Sequence, residues 1–92
     1  MQNIYRKEVG DVPKITAKND KRLLKLKYWR EKIGLKQEDF ALLLGYKKSN
    51  YSQKENGRSE FRLSEMLKIQ KAINDRLKKM GEPELMLDDI FK

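Results

Sequence analysis

Beyond residue 20 the chain is cut by glycines at positions 34, 45, 57 and 81 into short segments, most of which carry apolar residues at helical spacing. Leu23, Leu26, Trp29 and Ile33 recur at intervals of three and four, which places them on one face of a helix running from Lys21 to Ile33. Gly34 stands where a left-handed cap would end it. The segment Gln37–Leu44 puts Phe40, Ala41, Leu43 and Leu44 on one side, has Glu38 and Asp39 in its first turn where the helix dipole favours acids, and stops at Gly45. A longer stripe of Met66, Leu67, Ile69, Ile73, Leu77 and Met80 follows Leu63 and ends at Gly81, with Pro83 just beyond. A last short helix is predicted over Leu85–Phe91, with Asp88 and Asp89 near its start. Leu26, Trp29, Ile33, Leu35, Phe40, Leu44, Tyr51, Leu67 and Ile73 are read as core, since aromatic and aliphatic residues at this spacing pack more often than they line a pocket.

One segment breaks the pattern. KKSNYSQKEN, residues 47–56, has Tyr51 as its single large apolar residue and is closed by Gly57. A helix this polar exposes nearly its whole surface, to solvent or to a ligand, and is pinned at one point. Residues 1–20 show little periodicity, contain Gly10 and Pro13, and are read as a basic, partly disordered arm.

Charge narrows the choice of ligand. With 22 Lys and Arg against 14 Asp and Glu, the 92-residue chain has a formal charge of +8. All of the excess falls in residues 1–58, which hold 15 basic and 7 acidic side chains, whereas residues 59–92 hold 7 of each. A polyanion is the partner such a surface attracts. The length suits one domain with one modest core. There is no Cys or His, which removes disulfides, Cys/His zinc sites, His general bases and Cys nucleophiles. No Asp or Glu sits in an apolar setting that marks a catalytic carboxylate, so neither catalysis, nor a metal, nor a cofactor is expected. No apolar stretch approaches the roughly 20 residues that span a bilayer, and the start MQNIYRKEVG lacks the apolar run of a signal peptide. A cytoplasmic protein without membrane attachment is the expectation.

Two short helices joined by a tight glycine-containing turn, the second rich in side chains able to bond to base edges, are the parts of a helix-turn-helix. The run Gly34–Gly57, GLKQEDFALLLGYKKSNYSQKENG, resembles the phage repressor and Cro-like helix-turn-helix family, also called the xenobiotic-response-element family. The matching features are Gly34-Leu35 before the second helix, Gln37 in its first turn, Ala41 at the helix contact, Gly45 in the turn, Tyr51 at the core position of the reading helix and Glu55-Asn56-Gly57 at its end. With the flanking helices, the resemblance covers roughly residues 22–92.

That resemblance implies an all-α, compact five-helix lambda-repressor-like domain over residues 21–92, with the arm of residues 1–20 outside it. It implies a sequence-specific regulator of transcription, a repressor, that binds double-stranded DNA as a homodimer by placing residues 47–56 in the major groove. Lys47, Lys48, Ser49, Asn50 and Gln53 are the candidates on the groove side. Gln37 is placed at a phosphate, and Asn56 and Arg58 at the DNA backbone, although Asn56 serves equally well as a helix cap. Arg30 and Glu55 match positions that meet as an internal ion pair. Lys14, Lys18, Lys21 and Arg22 form either an arm that reaches DNA or a solubilising tail. The second reading is an antitoxin of the same fold, which binds a toxin protein while repressing its own promoter; a restriction-modification controller is a variant of the first.

Three departures from the family pattern stand out. Lys36 and Lys47 occupy N-cap positions where Ser or Thr is usual, each costing about 1 kcal/mol of capping. Lys54 replaces a commonly apolar residue, so either its stem lies along the core or the reading helix packs differently. Some ten extra residues between Ile73 and Leu87 lengthen the fourth helix.

Overall fold

The computed structural model of the chain describes residues 21–91; the expected arm, residues 1–20, lies outside the described residues. Five helices follow in order: α1 Leu24–Lys32, α2 Gln37–Leu44, α3 Lys48–Glu55, α4 Leu63–Lys79 and α5 Leu87–Phe91. Among the described residues there is no strand, and no helix is long and apolar enough to cross a membrane.

The core forms where the apolar stripes meet. Leu26 and Ile33 of the first segment, Phe40 and Ala41 of α2, Tyr51 of α3, Ile69, Ile73 and Leu77 of α4 and Ile90 of α5 are all buried. Trp29, Leu35 and Leu44 pack against this cluster while staying partly exposed. Leu67, read as core, is instead 47% exposed. The face of α4 that turns inward is Glu65, Ile69, Ile73 and Leu77, a strict four-residue stripe, and Leu67 lies well round the helix from it. Leu43 is likewise 41% exposed, so α2 buries chiefly Phe40 and Ala41. Aromatic rings run through the core in contact, Phe40 edge-on to Tyr51, Tyr51 tilted against Phe61 and Phe61 edge-on to Phe91.

The first helix starts later than its periodicity predicts. Leu23 is drawn out of the helix because its N–H donates to the carbonyl of Glu55 at 2.8 Å, tying the approach to α1 onto the end of α3. Helix α5 also starts late: Leu85 exchanges bonds with the Asn74 side chain, its N–H donating to Oδ1 and its carbonyl accepting from Nδ2, and Gln70 donates to the same carbonyl. Helix α4 runs unbroken for 17 residues to Lys79.

Helix starts use an unexpected device. Residues Lys36, Arg62 and Met86 cannot cap with their own side chains, but an acid three positions on accepts the N–H of each. Asp39 Oδ2 takes Lys36 N–H at 2.8 Å, Glu65 Oε1 takes Arg62 N–H at 2.9 Å and Asp89 Oδ2 takes Met86 N–H at 2.8 Å. This is the returning half of a capping box, and it offsets the missing Ser or Thr at α2. Helix α3 is different: Lys47 makes no side-chain cap bond, and the third residue is Asn50 rather than an acid.

Candidate nucleic-acid interface

Two glycines set the geometry of the α2–turn–α3 unit. Gly45 adopts φ 78°, which lets Tyr46 N–H fold back onto Ala41 carbonyl at 2.8 Å and turns the chain directly into α3. Gly57 adopts φ 81° and closes α3 the same way, with Gly57 N–H on Lys54 carbonyl and Arg58 N–H on Gln53 carbonyl at 2.8 Å. Gly57 is needed for a second reason. A Cβ there would lie 2.1 Å from the carbonyl oxygen of Lys21, because the chain leading into α1 passes directly over the end of α3.

The helical repeat divides α3 into two faces. Tyr51, Lys54 and Glu55 face inward, while Lys48, Ser49, Asn50 and Gln53 are exposed, together with Lys47 before the helix and Asn56 and Arg58 after it. Ser49 and Gln53 are one turn apart and share a face. Asn56 Nδ2 donates to Ser52 Oγ at 3.3 Å, so this side chain closes back on its own helix. At the other end, Lys48 shares a shallow cleft with Lys36, Gln37, Glu38, Arg30, Glu31 and Leu35, where the N-termini of α2 and α3 approach. Lys36, a poor cap in the sequence but a residue type that suits a phosphate, lines this cleft. The uncapped N–H groups of α3, with Lys36 and Lys48, offer donors suited to a phosphate at this end, beside the carboxylates of Glu31 and Glu38.

The inward face is held by a buried polar centre. Arg30 Nε and Nη2 donate to the two carboxylate oxygens of Glu55 at 2.9 and 3.1 Å, a forked pair with side chains only 7% and 4% exposed. Tyr51 Oη donates to Glu55 Oε1 at 3.0 Å, and Gln37 Nε2 donates to Glu55 Oε2 at 2.8 Å. Arg30 Nη1 also donates to the Leu35 carbonyl at 3.0 Å. Burial alone would raise the Glu55 pKa, but the bonds from Arg30, Gln37 and Tyr51 outweigh it and hold the carboxyl below the usual glutamate value. Burial followed by the neighbouring Glu55 charge pushes the Tyr51 phenol up. Gln37 was expected at a phosphate; its amide nitrogen donates one of its two hydrogens to Glu55, and the residue lines the cleft beside Lys36 and Lys48.

Lys54 answers the question its sequence position raised. Its ammonium is 5.1 Å from the centre of the Tyr46 ring and 5.7 Å from that of Phe61. It donates to the Glu60 carbonyl at 2.7 Å and lies 3.5 Å from Glu65 Oε1. Glu65 also accepts the Tyr46 hydroxyl. Nothing in the periodicity singled out Tyr46 or Glu65; the only available sign was an acid three residues after Arg62.

The face thus combines an exposed polar helix, an uncapped helix end beside two lysines and a buried internal anchor, the parts needed to enter a groove and grip its edges. Searches of curated proteins and of solved structures return no match. A helix-turn-helix family model matches residues 26–75, more than half of the chain and the whole of α2, the turn and α3. The chain accordingly belongs to the Cro/C1-type helix-turn-helix family and is a DNA-binding regulator of transcription.

Proposed function

We propose that the chain is a sequence-specific repressor that acts in the cytoplasm as a homodimer, each subunit placing α3 in the major groove of one operator half-site. The observation that carries this reading is the division of α3: its inner face is fixed by Tyr51, Glu55 and Lys54, and Lys48, Ser49, Asn50 and Gln53, residue types able to read bases, are left outside. Ser49, Asn50 and Gln53, with Lys48, are assigned to base edges, where glutamine pairs with adenine and lysine with guanine. Lys47, Lys36, Gln37, Asn56 and Arg58 are assigned to the DNA backbone. Residues 21–92 form the DNA-binding domain in this reading.

Two-fold pairing is supported by the usual match between a palindromic operator and a symmetric dimer. Apolar surface is available near the C-terminus, where Met86 is 72% exposed and Leu85, Leu87 and Phe91 are partly so.

The test is a fluorescence titration of labelled duplexes across a salt series. Neutralisation of roughly 4 or 5 phosphates per subunit gives a log–log slope of about −8 for a dimer. A protein that binds no duplex, or binds with a slope near zero, is not acting through this face.

A further inference from the structure

We propose that Lys54 is a positioning residue for base reading: its ammonium, enclosed by Tyr46, Phe61, Glu65 and the Glu60 carbonyl, sets the rotation of α3 about its own axis. The inference rests on α3 being the reading helix and adds what aims it. Four segments converge on this one cation. Lys54 belongs to α3, Tyr46 to the turn before it, Glu60 and Phe61 to the loop after it and Glu65 to the first turn of α4. Glu65 joins them, accepting from Tyr46 Oη, from the Arg62 N–H and from Lys54.

The need for such a device follows from the composition of α3. Tyr51 is its one buried apolar side chain, and apolar contacts are non-directional, so a single one leaves rotation about the helix axis weakly specified. Glu55 and Lys54 supply directional contacts on neighbouring bearings. Glu55 ties α3 to α1 and α2, and Lys54 ties it to α4, which together fix where Ser49 and Gln53 point. A turn of about 20° carries a side-chain tip at ~6 Å radius through ~2 Å, enough to break a hydrogen bond to a base. An aliphatic residue at 54 could fill the space between the two rings but would leave Glu65 without its cation. The Lys54 side chain is 13% exposed, and its ammonium is already engaged by the Glu60 carbonyl and Glu65, which sets it apart from the exposed Lys47 and Lys48.

The experiment compares Lys54→Met, Lys54→Arg and Tyr46→Phe with the parent, each titrated with a selected operator duplex and a scrambled duplex over a salt series. Lys54→Met keeps the stem and removes the charge. It is expected to lose about tenfold in affinity for the operator, with scrambled DNA affected less than about twofold and the salt slope unchanged. Lys54→Arg, which can stack between the rings and bond Glu65, restores at least half of the operator preference on a logarithmic scale. Tyr46→Phe keeps the ring and loses the bond to Glu65, and falls between the two.

Equal losses on both duplexes with a slope reduced by about one would make Lys54 a phosphate contact and overturn the proposal. So would an unchanged operator preference in Lys54→Met. Should that variant fail to fold, the same decision falls to Tyr46→Phe, whose operator preference must drop. A parent protein that binds neither duplex defeats the functional reading itself, and is recognised in the same titration before any variant is considered.

Discussion

Replacing Glu55 by alanine strands four donors at once. Arg30 loses both bonds that neutralise its guanidinium, and the Tyr51 hydroxyl and the Gln37 amide lose their acceptor. Arg30, 6% exposed in the parent, keeps the Leu35 carbonyl as a partner but no carboxylate to balance its charge. Breaking a buried pair by removing one member costs about 3–5 kcal/mol, because the surviving charge keeps its desolvation penalty. A small domain has on the order of 5–15 kcal/mol in total, so Glu55→Ala brings this one close to unfolding. Urea melts followed by far-UV circular dichroism and by Trp29 fluorescence measure the loss directly. The double variant Arg30→Met with Glu55→Leu should be more stable than Glu55→Ala, since neither charge is then buried alone. A Glu55→Ala protein within about 1 kcal/mol of the parent would mean that the centre is solvated or rearranges freely, and the reasoning fails.

Three further outcomes follow from the same geometry. Gly57→Ala should destabilise by more than Gly45→Ala in urea melts: both sit at positive φ, at a cost of about 1–2 kcal/mol for a residue with a Cβ, but only Gly57 also meets the Lys21 carbonyl; equal effects would remove the crossing. Glu55 and Glu65 are both held below the ordinary glutamate pKa, so their contribution to stability is complete above about pH 4.3 and is lost as pH falls through the depressed folded values; melts from neutral to acid pH should show this loss, and Glu55→Gln should flatten it. Lys47→Ser supplies the cap that α3 lacks and should stabilise the fold by about 1 kcal/mol, while weakening duplex binding; a gain in both would take Lys47 off the DNA backbone.

Much of this could be read along the chain because its signals are local. The limits of α2 match their prediction, since Glu38 and Asp39 mark its first turn in sequence and Gly45 its end, and the polar character of residues 47–56 is visible without a fold. What escaped depends on neighbours distant in sequence. The start of α1 is moved by a bond from Leu23 to Glu55, and Leu67 is displaced from the core because the inward face of α4 includes a charged residue, Glu65, that a search for apolar periodicity passes over. Gln37 looked like a surface donor until Glu55, eighteen positions away, claimed its amide. The cage around Lys54 draws on residues 46, 60, 61 and 65, and only folding brings them together.

The central claim is that α3 reads bases through its outer face, and Gln53 tests it most directly. Gln53 is exposed one turn beyond Ser49, and its side chain takes no part in the bonds that hold α3 to the domain. Gln53→Ala and Gln37→Ala are to be titrated against the selected operator and against a set of its single-base substitutions. The account predicts that Gln53→Ala costs about 1–3 kcal/mol on the operator and loses its preference at one base position, while Gln37→Ala weakens operator and scrambled DNA by similar factors. A Gln53→Ala protein that loses affinity equally on every sequence, or loses none, contradicts the assignment of this face.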